Sequence, residues 1–123
     1  IAYKLTESKL LPDMIVSSTA VRAFSSAEII RNFLQLTDSI RGTEVLYSAS
    51  ISEYINILKS QKESISTILI VAHNPTISGF ISRLTGKHIG MGTGNLCSIE
   101  LNIEKWSEIG LNSPVLSSTL LKP

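Results

Sequence analysis

The chain is 123 residues long, 43% hydrophobic and 17% charged, a balance that suits one folded domain and excludes a disordered polypeptide. With 11 basic and 10 acidic side chains the formal net charge is +1, and the basic excess that marks a nucleic-acid binder is missing. The longest apolar runs, such as Ile68 to Ala72, are far too short to span a bilayer, so neither nucleic acid nor membrane is an expected partner. A single cysteine, Cys97, permits no intrachain disulfide and makes a reducing, cytoplasmic setting the expectation.

Residues 1–11, IAYKLTESKLL, read as a helix already under way at Ile1 and halted by Pro12, which biases its predecessor away from helical geometry. A start of this kind, without methionine, predicts a chain that begins inside a larger polypeptide. The run Met14-Ile-Val-Ser-Ser18 turns from apolar to polar, as a buried strand does where it reaches a surface. From Ala20 the period changes. Ala20, Ala23, Phe24, Ala27, Ile30 and Leu34 form the stripe of an amphipathic helix. Gly42 marks a turn, and Glu44-Val-Leu-Tyr47 reads as a short strand or extended loop. Ser50-Ile-Ser-Glu53 fits a capping box, in which hydroxyl and carboxylate satisfy N–H groups at a helix start. Ile51, Tyr54, Ile55 and Leu58 supply the buried face of the helix that follows.

Thr67 to Ala72 is a β-branched, nearly continuous apolar run, typical of a strand covered on both faces. Asn74 is a suitable N-cap and Pro75 a suitable first helical residue. Ile77, Phe80, Ile81 and Leu84 make the next stripe, and Gly86 suits its C-terminal stop. Beyond it, Cys97, Ile99, Leu101 and Ile103 alternate with polar residues, which predicts a strand with one polar face. Trp106 falls in a polar turn, and Val115 to Leu121 reads as a final edge strand. Without repeat, low-complexity tract or linker, residues 1–123 read as one domain, a three-layer α/β fold with a mixed sheet.

Two strand-to-helix junctions carry chemistry. In Ser17-Ser18-Thr19-Ala20-Val21-Arg22 a strand opens into a helix with an arginine in its first turn; in Ala72-His73-Asn74-Pro75 a histidine closes a strand. A helical crossover makes the two strands parallel, which puts Arg22 and His73 on one rim, outside the carboxyl ends of the strands where α/β sheets bind ligands. An arginine fork matches phosphate oxygens, and a histidine stabilises an oxyanion or moves a proton near neutral pH. Helix N-termini add oriented N–H groups. Taken singly, each has a plainer reading: a solvated surface arginine, a satisfied boundary histidine, a capped helix. Together they favour a phosphate pocket.

These segments resemble the histidine phosphatase superfamily. "PDMIVSSTAVRAFSSAE" is similar to its Pro-Asp-x-Ile-x-Ser-Ser-Pro-Ala-x-Arg segment, with Thr19 at the usual proline and Ser26 at a usual threonine. "ILIVAHNPTISGF" resembles its second-histidine segment, "VLYSASISEYINIL" the stretch between, and "MGTGNLCSIELNIEKWSEI" with the closing LLKP the tail of small SixA-type phosphohistidine phosphatases. The order and spacing agree over essentially the whole chain. The resemblance implies a phosphoglycerate-mutase-like α/β/α sandwich and a metal-independent phosphatase without cofactor, acting on a phosphorylated protein or a small phosphorylated substrate through a phosphohistidine intermediate. Arg22 would bind the phosphoryl group and His73 would be the second active-site histidine; both would stabilise the transferring oxygens.

The superfamily's nucleophile is the histidine of an Arg-His-Gly motif at the end of its first strand, and this sequence contains no such motif. The second histidine, His88 in Gly86-Lys87-His88-Ile89, has a loop context. The resemblance therefore predicts an N-terminally truncated domain that lacks its first, central strand and its nucleophile. The usual carboxylate proton donor has no clear match either: Glu53 is explained by capping and Glu44 by a surface position. One rival is a non-catalytic phosphate- or phosphoprotein-binding relative. Another is a nucleotide loop at Gly90-Met-Gly-Thr-Gly94, which lacks the helix that must follow such a loop. Cys97 reads as a small hydrophobe at an inward strand position rather than a nucleophile.

Overall fold

A computed structural model of the protein describes residues 2–7 and 10–123. The chain divides into two compact units that interleave along the sequence: one runs up to Ser48 and resumes at Ser64–His73, and the other comprises Ala49–Glu63 and Asn74–Pro123.

The first unit is built on a parallel sheet. Strand β1 (Met14–Ser18) lies between β2 (Arg41–Thr43) and β3 (Ile68–Val71), pairing parallel with both. Helix α2 (Val21–Phe33) follows β1 directly and buries Ala23, Ala27 and Ile30, the middle of the predicted stripe. Leu5, from helix α1 (Ala2–Glu7), joins Ile15, Val16 and Leu46 in the core. At the N-terminal end of the sheet Asp13 acts as a clamp. Its carboxylate accepts from the N–H groups of Ser66 and Thr67 at 2.8 and 2.9 Å, and its own N–H donates to the Thr67 carbonyl at 2.8 Å. Asp13 thereby sets the register in which Met14 faces Ile68 and Ser17 faces Val71. A slip of one residue would turn every side chain of β3 to the opposite face.

The second unit pairs helices with an antiparallel ribbon. Helix α3 (Ile51–Lys59) starts at the predicted capping box: Ser50 Oγ accepts from the Glu53 N–H, and Glu53 accepts from the Ser50 N–H. Tyr54, fully buried, stacks on Phe80 of helix α4 (Thr76–Thr85), with ring centroids 4.7 Å apart and planes 6° from parallel. Gly86 ends α4 in the left-handed region, φ 70°, where a side chain is strained. Strands β4 (Leu96–Leu101) and β5 (Val115–Leu121) pair antiparallel, and Trp106 lies in a 3₁₀ turn between them.

Four expectations need correction. The opening helix covers Ala2–Glu7; residues 8 and 9 lie outside the described residues, and Leu10 and Leu11 are not helical, so it does not run to Pro12. Glu44–Tyr47 is a 3₁₀ turn rather than a strand; the strand lies just before it, at Arg41–Thr43, across the glycine read as a turn. The reason is local: Thr43 Oγ1 accepts from the Val45 N–H and curls the chain immediately after β2. Pro75, not Asn74, occupies the cap of α4, while the Asn74 side chain accepts from Ser78 Oγ and donates to the Met91 carbonyl. Finally, the strands form a three-stranded parallel sheet and a two-stranded antiparallel one where a single mixed sheet was indicated. Periodicity reports which faces are apolar and does not say which strands pair. Among the described residues no helix is long and apolar enough to cross a membrane.

Candidate functional site

Parallel pairing of β1 with β3 makes both strands end on the same edge of the first unit's sheet. Two residues past β3 stands His73, and one turn past β1 stands Arg22, as the two junctions required. His73 is half-buried and is held by the residue that ends β1: its Nε2 lies 2.8 Å from Ser18 Oγ. Ser17 and Ser18 are both fully buried although they close an apolar strand. The Ser17 hydroxyl donates to the Ser18 carbonyl at 2.9 Å, and Ser18 Oγ accepts from the Ala20 N–H at 3.2 Å. Burial of polar groups this deep is tolerated because each is hydrogen-bonded.

Arg22 is the second residue of α2 and is exposed; its guanidinium makes no ion pair or hydrogen bond with the described residues, which leaves its donors open to a ligand. Ala20 at the helix N-cap has no side chain to cap the first turn. The opening N–H groups of α2 therefore have no side-chain cap from Ala20, and such groups can bind an anion. The Tyr47 ring, 65% exposed, lies edge-on to His73, with centroids 5.2 Å apart and planes at 61°. Tyr47 is fixed there by its neighbour Leu46, which is fully buried and anchors the 3₁₀ turn. Reading the sequence by itself pairs His73 with Arg22 but misses Ser18 and Tyr47 as its contacts. A polar Ser-Ser pair closing a buried strand was the available signal for the first. The second depended on the turn at Glu44–Tyr47, which was read as extended.

The remaining candidates are placed as follows. His88 is exposed in the loop after α4. The Gly90–Gly94 stretch leads directly into β4, with no helix after it. Cys97 is half-buried on β4, and burial pushes its thiol up, only partly opposed by the charge of Lys87. A raised thiol holds less thiolate and is a poorer nucleophile. Glu53 is spent on the α3 cap, and Glu44 opens the 3₁₀ turn as an exposed residue.

In fold the chain is similar to solved structures described as SixA-type phosphohistidine phosphatases, and it shares their phosphoglycerate-mutase-like α/β fold. A candidate phosphohistidine phosphatase SixA from Agrobacterium tumefaciens superposes with a TM-score of 0.78 at 21% identity, over 99% of this chain and 75% of that one. A protein histidine phosphatase SixA complexed with tungstate gives 0.77 at 18% identity, over 95% of this chain and 74% of that one. A candidate phosphohistidine phosphatase SixA from Nakamurella multipartitia gives 0.68 at 16% identity, over 96% of this chain and 76% of its own. No protein-family model and no curated protein sequence matches the chain.

Proposed function

We propose that the protein is a phosphatase of the histidine phosphatase type, in which Arg22 and His73 hold the oxygens of a phosphoryl group. What supports this reading is the parallel pairing of β1 with β3, whose ends lead into the segments carrying an open arginine, a histidine bonded to Ser18 and the start of α2. Arg22 would supply a planar pair of donors and a full charge, which strengthen as negative charge gathers on the transferring oxygens. His73 would add a further donor. The likeness in fold to proteins described as phosphohistidine phosphatases supports a phosphohistidine protein or a small phosphate ester as substrate. Covalent turnover through a phosphohistidine also requires a nucleophilic histidine. His88 is exposed in a loop, so in this reading the nucleophile comes from outside residues 1–123. If the substrate is a phosphohistidine, its imidazole is the leaving group and departs readily, so little proton donation is needed from a carboxylate.

A second reading is a phosphate-binding relative without turnover, in which Arg22 and His73 would hold an anion with no nucleophile beside them. Tungstate, which mimics phosphate, separates the outcomes when its binding is measured by calorimetry alongside hydrolysis of phosphoramidate. Both readings expect binding, with Arg22→Ala weakening it about 10- to 100-fold through loss of a charge-assisted pair. His73→Ala is expected to weaken it about tenfold. Measured on the protein together with the segment that would carry the nucleophile, binding accompanied by turnover selects the enzyme, and binding without turnover selects the binder. Wild-type affinity in both variants would remove the site.

A further inference from the structure

The phosphate-site reading leaves the position of Ser18 unused. It is fully buried, it ends the central strand of its sheet, and its hydroxyl has two partners. A serine hydroxyl offers two lone pairs and one proton. The Ala20 N–H occupies one lone pair at 3.2 Å, which leaves the other lone pair and the proton directed at His73 Nε2, 2.8 Å away. That pair of groups suits both forms of the imidazole. When Nε2 is bare the hydroxyl donates to it; when Nε2 carries hydrogen the hydroxyl accepts from it.

We propose that Ser18 is a positioning residue for the phosphoryl site: its hydroxyl fixes the plane and rotamer of the His73 ring and stays bonded through either protonation state. The proposal rests on His73 facing the phosphoryl group. It follows from the geometry because β1 is rigid at that point. Ser18 lies level with β2 at Thr43, its Oγ is restrained by the turn into α2, and the β1–β3 register is locked by Asp13. His73 lies two residues past the last paired residue of β3, and the hydroxyl of the neighbouring strand bonds its ring directly. The Tyr47 ring also packs edge-on against the His73 ring.

The test uses the isotope-labelled chain, whose two histidines give a simple set of ring nitrogen resonances. In wild type, cross-relaxation is expected between the Ser18 β-protons and the ring protons flanking His73 Nε2; its absence overturns the proposal without any variant. Ser18→Ala should move the His73 Nε2 resonance and leave those of His88 in place. An unmoved His73 signal would refute the anchor, and loss of the His88 signal would report unfolding, leaving the wild-type measurement to decide. Tungstate affinity gives the functional arm. Ser18→Ala should weaken binding about three- to tenfold in the wild-type background and not at all in His73→Ala. Equal losses in both backgrounds would mean that Ser18 supports the fold and not the ring. Failure of wild type to bind tungstate would remove the phosphate site, while the ring spectra would still report whether Ser18 holds His73.

Discussion

Tyr54 carries a hydroxyl into the interior of the second unit, its ring on Phe80 and its oxygen 2.9 Å from Thr76 Oγ1. Burial pushes its phenol above the ordinary value of 10.0, and the bond to Thr76 offsets only part of that. The folded state therefore holds this proton more tightly than the unfolded one. Its contribution to stability is complete below the unfolded value and is lost as pH rises through the raised folded value. Denaturant midpoints for wild type should thus fall above pH 10 more steeply than those of Tyr54→Phe. At neutral pH the variant should be less stable by about 0.5–1.5 kcal/mol, the net worth of one hydrogen bond. Parallel curves for the two proteins above pH 10 would show that the phenol does not ionise at the expense of the fold.

Elements were legible where their signals are local. The capping box at Ser50 and Glu53 forms as read, and Gly86 stops α4 with the positive φ that its lack of a side chain permits. Gly42 shows the opposite case. It lies inside β2, and a Cβ there would stand 3.2 Å from the Thr19 methyl and 3.3 Å from the Phe24 ring. The glycine thus serves close approach of β2 to the junction between β1 and α2, which no reading of Arg41–Tyr47 alone can reveal. Gly42→Ala should be near neutral, since a less flexible unfolded chain offsets the crowding. Gly42→Val should lose about 1–3 kcal/mol because its extra methyls must displace Thr19 or Phe24. Thermal melts of the two variants test this, and a valine variant as stable as wild type would mean the neighbours yield freely.

On the scale of the whole molecule, a net charge of +1 provides little long-range pull on an anion, so under the proposed function attraction at the site would come from Arg22 and the start of α2. Raising ionic strength from about 0.05 to about 0.5 M should weaken tungstate binding in wild type and change it far less in Arg22→Ala, because an exposed charge is screened over a few ångströms. Equal salt dependence in the two proteins would assign the attraction to other charges. Among the described residues no group of three or more histidine, cysteine, aspartate or glutamate side chains is gathered to hold a metal. In any preparation that hydrolyses phosphoramidate, EDTA is expected to leave the rate unchanged; loss of activity restored by a divalent ion would count against the proposed chemistry.

Read alone, the sequence determined what depends on neighbours along the chain: the apolar stripes of α2, α3 and α4, the cap at Ser50, the stop at Gly86 and the polar-apolar alternation of β4. It also put Arg22 and His73 at two strand-to-helix junctions, because strand ends and helix starts have signatures a few residues long. Only the tertiary structure decided that β3 lies beside β1, that Glu44–Tyr47 curls to bring an aromatic ring to His73, and that a buried serine on a different strand holds the imidazole. Those contacts join residues far apart in sequence. Their energies come from register and close packing, which periodicity does not encode. The serines at the end of β1 were visible as a polar finish to an apolar strand, but what they were buried against was not.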